Sequence, residues 1–204
     1  MIGIINTGFG NINSIYNILY ENNIRTKIIN NQVDFSDVNK LILPGIGKFD
    51  SLINKLNEMN IFDELINEVL IKKKYILGIC IGMHVFYESS AEGSKNGFAW
   101  IEGKIEKLDN DNVRLPHMGW NKVFNTQESK LFKDINEGSS FYFLHSYGNK
   151  VDSNKNYNHS SFCKYGIEFI SSIEKNNIFG VQFHPEKSHR NGTQLILNFS
   201  NMND

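Results

Sequence analysis

The chain has 204 residues, 40% of them hydrophobic and 12% aromatic, which is enough to build one substantial core and argues for a single domain spanning residues 1–204. Lys and Arg total 21 against 22 Asp and Glu, so there is no basic surplus to draw in nucleic acid or an anionic membrane surface. Two cysteines, Cys80 and Cys163, make neither a disulfide framework nor a C-x-x-C pair, which points to a reducing, cytoplasmic setting and away from a thiolate metal site.

"MIGIIN" opens as a strand with no charged leader or cleavage signature. The longest uncharged central run, residues 75–87, is interrupted by glycines and a histidine and falls short of the roughly 20 apolar residues of a spanning helix, so no membrane segment is expected. From "IGIIN" (residues 2–6) the chain passes through a glycine turn into a predicted helix over residues 11–22, then into "KIIN" and "KLILPG", a βαβ rhythm. Apolar residues next recur at spacings of three and four (Leu52, Ile53, Leu56; Leu65, Ile66, Val69, Leu70), predicting helices over residues 49–59 and 61–73 that cover a sheet face. "YILGIC" is apolar at nearly every position, the pattern of a strand buried on both faces, and the run after it reads as a helix beginning around Ile81.

Beyond that point "WIEGKIEKL", "KVFN", "FYFLHSYG", "SSFCKYG" and "IFGVQFH" read as strands, "NKVDSNKNYNH" as a polar loop, and residues 193–200 as a closing helix. The expected fold is α/β: an open, mostly parallel sheet with flanking helices and an antiparallel or mixed C-terminal extension, with ligand at the carboxyl ends of the parallel strands.

Three segments carry chemistry. In "GICIG" two glycines flank Cys80 between a strand and a helix, the setting in which a sharp turn exposes a nucleophile and nearby N–H groups favour its anion. Read alone, Cys80 fits a small buried hydrophobe equally well, and Cys163 has no comparable context. "GVQFHPEKS" supplies a base and its orienting group: Pro185 keeps His184 extended, and residues two apart in an extended segment project to one side, bringing Glu186 to His184. "LPGIGKFD" places Gly45 and Gly47 around Ile46, so that backbone N–H groups can point into a cleft as an oxyanion hole requires. No His, Cys or Asp cluster has metal-ligand spacing, and neither metal nor cofactor is expected.

Taken in order, "LPGIGKF", "GICIGM", "PHMGWN", "YFLHSY" and "GVQFHPEKS" resemble the class I, triad-type glutamine amidotransferases. Within that class "PHMGWN" and "HPEKS" look most like the glutaminase subunit of imidazole glycerol phosphate synthase, and "TGFGNINS" fits the same pattern. The resemblance implies that Cys80 attacks the side-chain amide of glutamine, that His184, oriented by Glu186, moves the proton, and that the N–H groups of Gly45, Ile46, Gly47 and Ile81 hold the oxyanion. It implies that Glu92, Ser146 and Tyr147 bind the glutamine head. It also implies a heterodimer with a (βα)8-barrel cyclase that receives the ammonia, with Pro116, His117, Met118, Trp120, Tyr142 and Lys187 at the partner-facing edge. Met118 and Trp120 also fit plain core, and His117 and His145 fit hydrogen-bonded structural histidines.

One departure stands out. The family pattern reads Cys-x-Gly-x-Gln, and His84 occupies the final position here. Four residues along a helix, His84 is expected to lie over Cys80 and to keep a substrate-binding role. Three rival functions stay open: a paralogous glutaminase supplying ammonia to a barrel partner that amidates a bacterial surface sugar, a cysteine peptidase-like or deglycase-like enzyme on the same topology, and an interaction module with a silent triad.

Overall fold

A computed structural model describes residues 1–109, 113–151 and 158–202. Its elements are β1 (Ile2–Ile5), α1 (Ile12–Glu21), β2 (Thr26–Ile29), β3 (Lys40–Gly45), α2 (Phe49–Glu58), α3 (Phe62–Ile66), β4 (Tyr75–Cys80), α4 (Ile81–His84), β5 (Tyr87–Ser90), β6 (Ile101–Lys107), β7 (His117–Lys122), β8 (Ser140–His145), β9 (Tyr147–Gly148), β10 (His159–Tyr165), β11 (Ile167–Lys175), β12 (Ile178–Val181) and α5 (His189–Asn201).

The main sheet has seven strands in the order β10-β11-β12-β4-β3-β1-β2. From β2 to β12 every pairing is parallel, and β11 and β10 extend the sheet in antiparallel fashion, so the fold is the expected α/β sheet with a mixed extension. The crossover from β1 to β2 moves one way along the sheet and that from β3 to β4 the other; right-handed connections therefore put α1 on one face and α2 with α3 on the opposite face. The carboxyl ends of β3, β4 and β12 lie side by side next to this reversal, where an open α/β sheet leaves a crevice.

Sequence explains most of these elements locally. The Asn11 side chain accepts the Ser14 N–H (3.3 Å) and starts α1, which turns Ile15 and Leu19 into the core. The strands β1, β3 and β4 are buried almost throughout, as their unbroken apolar runs require. In α5, Leu195, Ile196 and Phe199 form the buried stripe.

The structure departs from expectation in several places. The predicted helix over residues 61–73 ends as α3 and continues as a π-helical turn, Asn67–Ile71. The helix after Cys80 is a single turn, because Val85, Phe86 and Tyr87 are wholly buried and β5 goes on to pair with β6. "KVFN" is not a strand of its own: the strand is β7, which pairs with β8 from His117↔His145 to Lys122↔Ser140, and Phe124 adds only an isolated bridge to Phe162. The nine-residue β11 has no counterpart among the expected strands; Ser171 and Ser172, both buried, break its apolar alternation. The helix α5 begins at His189, ahead of the predicted residue 193. Most of the predicted polar loop, residues 152–157, lies outside the described residues.

Candidate active site

Cys80 ends β4 with φ +55° and ψ −111°, a conformation that a side-chain-bearing residue adopts only under constraint. The flanking glycines supply the constraint. A Cβ on Gly82 would overlap the Leu43 carbonyl oxygen, and one on Gly78 would sit 2.5 Å from the Gly82 carbonyl oxygen. Only bare backbone lets α4 fold down onto β3 and β4, and that fold holds Cys80 at the corner. Gly45 pairs with Cys80 in register across β3 and β4. Since α4 is one turn, the helix expected after Cys80 brings no long helix dipole, only its first-turn N–H groups.

The parallel pairing of β12 with β4 carries the chain to His184 beside this corner. The His184 backbone is extended, but Glu186 belongs to a 3-10 turn, Pro185–Lys187. The pair therefore forms through that turn, and not through the strand alternation expected from sequence. His184 Nδ1 lies 2.9 Å from Glu186 Oε1, with the two side chains 1% and 2% exposed. Burial pulls the imidazole pKa down, yet the charge and hydrogen bond of Cys80, together with Glu186, outweigh it and raise His184 to about 10. With Nδ1 engaged by Glu186, the nitrogen left for Cys80 is Nε2, which is buried and makes no hydrogen bond of its own among the described residues.

The histidine segment is stitched to β8. His184 N–H donates to the Tyr142 carbonyl (2.8 Å), while Ser188 Oγ donates to the His184 carbonyl (2.6 Å) and accepts the Tyr142 N–H (3.0 Å). Ser188 ends the "HPEKS" motif, but sequence reading gives it no role; a hydroxyl four residues after the histidine is the available signal.

Ile46, Gly47, Cys80, Ile81, His84, Glu92, Leu144, His145, Ser146 and Tyr147 line one narrow cleft. The structure thus brings the predicted oxyanion residues Ile46, Gly47 and Ile81 together with the predicted substrate contacts His84, Glu92, Ser146 and Tyr147, while Gly45 sits behind them at the end of β3. Glu92 accepts the Phe49 N–H (3.0 Å), and burial raises its pKa against that hydrogen bond. Asp50 clamps the loop that carries Glu92 by accepting the N–H groups of Ser94 (3.0 Å) and Lys95 (3.1 Å), bonds that hold its own pKa low. A wider groove elsewhere, bordered by Tyr75, Ser129, Lys133 and Asn198, has no cysteine or histidine on its walls among the described residues.

Two histidines support the cleft wall. His145 Nδ1 donates to the Tyr147 carbonyl (2.8 Å), so its Nε2 accepts from His117 Nδ1 (3.1 Å). Burial lowers His117 to about 4 and pushes His145 well below its usual value, which keeps both neutral. His117 is therefore not part of an outward face: strand alternation turns it inward at 2% exposure, stacked on Phe143 and Tyr165, while its neighbours Met118 (65%) and Trp120 (48%) face outward. The alternative reading of Met118 and Trp120 as plain core gives way to an exposed pair. Tyr142 lies edge-on to Trp120 (6.1 Å), the Lys187 ammonium stands over the Tyr142 ring (5.7 Å), and Pro116 is also exposed.

Among the described residues no group of three or more His, Cys, Asp or Glu is arranged to hold a metal ion, and no helix is long and apolar enough to cross a membrane.

A family model described as "Glutamine amidotransferase class-I" matches residues 4–202. Among curated proteins, the Leptospira interrogans "Imidazole glycerol phosphate synthase subunit HisH" is 39% identical over 99% of this chain and 100% of its own length. The Methanococcus maripaludis "Imidazole glycerol phosphate synthase subunit HisH 2" is 42% identical over 98% of each. In fold the chain is similar to a chain in the "Structure of PurLQS from Thermotoga maritima", with a TM-score of 0.71, 16% identity and coverage of 98% of this chain and 97% of that one. The match over nearly the whole length, on a fold that sets a strained cysteine against a carboxylate-held histidine, places this chain in the class I glutamine amidotransferase family, as a glutamine amidotransferase.

Proposed function

We propose that this protein is the glutaminase subunit of an imidazole glycerol phosphate synthase, acting in histidine biosynthesis. Cys80 passes its proton to His184 Nε2 and adds to the side-chain carbonyl of glutamine while N–H groups of Ile46, Gly47 and Ile81 receive the oxyanion. His184 delivers its Nε2 proton to the departing nitrogen, ammonia leaves, and a thioester remains on Cys80. A water molecule, deprotonated by His184, then releases glutamate. Glu186 holds the imidazole throughout and favours the imidazolium each time it forms. Glu92, Ser146, Tyr147 and His84 bind the amino acid portion of glutamine in the cleft they line.

The ammonia passes to a (βα)8-barrel cyclase docked over Pro116, Met118, Trp120, Tyr142 and Lys187, whose exposed aromatic and cationic groups form a compact anchor. The observation that carries the reading is the buried His184–Glu186 pair facing Cys80, and the names of the relatives at 39% and 42% identity support the acceptor.

Reconstitution with the cyclase and its phosphoribosyl-formimino substrate tests it. Glutamine is expected to drive formation of imidazole glycerol phosphate, and Cys80→Ala to abolish that route while added ammonium still serves the cyclase. Glutamine hydrolysis without imidazole product would overturn the acceptor assignment and favour the surface-sugar route.

A further inference from the structure

His84, where the family pattern has glutamine, engages Gln182 through one ring nitrogen: His84 Nε2 and Gln182 Oε1 are 2.7 Å apart, and both residues are buried. The Gln182 Nε2 lies 3.8 Å from the Cys80 sulfur. The carboxamide orientation follows from charge, because an amide oxygen turned toward a sulfur anion would repel it while the NH2 group donates to it. With Oε1 as acceptor, His84 must carry its proton on Nε2.

We propose that His84 and Gln182 act together as positioning residues for the nucleophile, with His84 locking the Gln182 carboxamide so that its NH2 steadies the Cys80 thiolate. The inference rests on Cys80 being the nucleophile of the proposed glutaminase. Burial lowers the His84 pKa to about 4 against the Gln182 bond, which keeps the imidazole neutral and its tautomer fixed across the working pH range. Gln182 is itself held by its backbone, whose N–H donates to the Ser171 carbonyl (2.8 Å), so the side chain is presented from a fixed strand end.

The test follows alkylation of Cys80 by iodoacetamide across pH, read by mass spectrometry on the full chain. Among the described residues, the charged and titratable groups around the sulfur are His184 with Glu186 from the 3-10 turn that follows it, His145 from β8, Tyr147 from β9, Glu92 from the loop after β5, and His84 from α4. All but the tested residue stay constant within each variant. Gln182→Leu is expected to slow Cys80 alkylation about tenfold at pH 7 and move the rate profile to higher pH, the effect of losing a hydrogen bond to a charged group. His84→Phe should give a smaller change in the same direction, and His84→Gln, which restores a donor to Gln182, should recover most of the rate.

Cys163 serves as the folding control, being buried with its thiol pushed up to about 12, so its labelling reports an unfolded variant. Should Gln182→Leu unfold, the His84→Phe and His84→Gln pair still decides. Unchanged Cys80 rates and profiles in folded variants overturn the positioning role. Failure of the glutaminase reading looks different: wild-type Cys80 would then react no faster than an ordinary exposed thiol.

Discussion

His184 Nδ1 meets Glu186 Oε1 at 2.9 Å across the start of a 3-10 turn that begins with Pro185. The short turn gives the imidazole a carboxylate partner two residues away and leaves Nε2 for Cys80, so one local bend sets both tautomer and direction. Ser188 closes the same bend onto β8 through the His184 carbonyl and the Tyr142 N–H.

Glu186→Gln keeps the shape of that turn but removes the negative charge. The expected result is a fall in kcat on the order of 10²–10⁴-fold with a much smaller change in KM, since the loss is felt when the imidazolium forms. Steady-state glutaminase kinetics with the cyclase partner present measure it.

The pH dependence follows from the direction of the His184 shift. Its folded-state pKa is raised from 6.5 to about 10, so the stability that this proton contributes is fully present below pH 6.5 and is lost as pH rises through 10. Chemical denaturation between pH 7 and 11 should show a decline in this range that Glu186→Gln shifts to lower pH. The alkaline limb of kcat/KM should move in the same direction.

Gly82→Ala tests the corner. Its methyl group would overlap the Leu43 carbonyl oxygen, and backbone on backbone has little room to give. A loss of about 3 kcal/mol is expected, which corresponds to a fall in Tm of roughly 6–12 °C for a chain of this size. Thermal unfolding followed by circular dichroism reads it.

Met118 and Trp120 protrude from β7. Replacing both with Ala should leave stability within about 0.5 kcal/mol, as for exposed positions generally, while weakening cyclase binding on the order of 10- to 100-fold. Titration calorimetry with the cyclase, alongside unfolding of the isolated chain, separates the two effects.

Much of this was legible in sequence because the governing constraints are local. The apolar run of β4 and the two glycines around Cys80 encode their own geometry, the His-Pro-Glu step encodes its pairing though through a 3-10 turn and not the expected strand alternation, and the cleft follows once parallel pairing brings β12 beside β4. What escaped was nonlocal. Gln182 acquires its role only when β12 and α4 bring it to His84 and Cys80, and Asp50 only when the loop after β5 returns to α2. His117 shows the same limit in reverse: a motif marks the segment, but strand register decides which alternate residues face outward.

The most direct test of the central claim is the mass of the protein after incubation, with the cyclase present, with a glutamine analogue that bears an electrophilic carbon in place of the amide. One adduct on Cys80, greatly slowed in His184→Ala, is the expected result. An unlabelled Cys80, or labelling that proceeds equally well without His184, would contradict it.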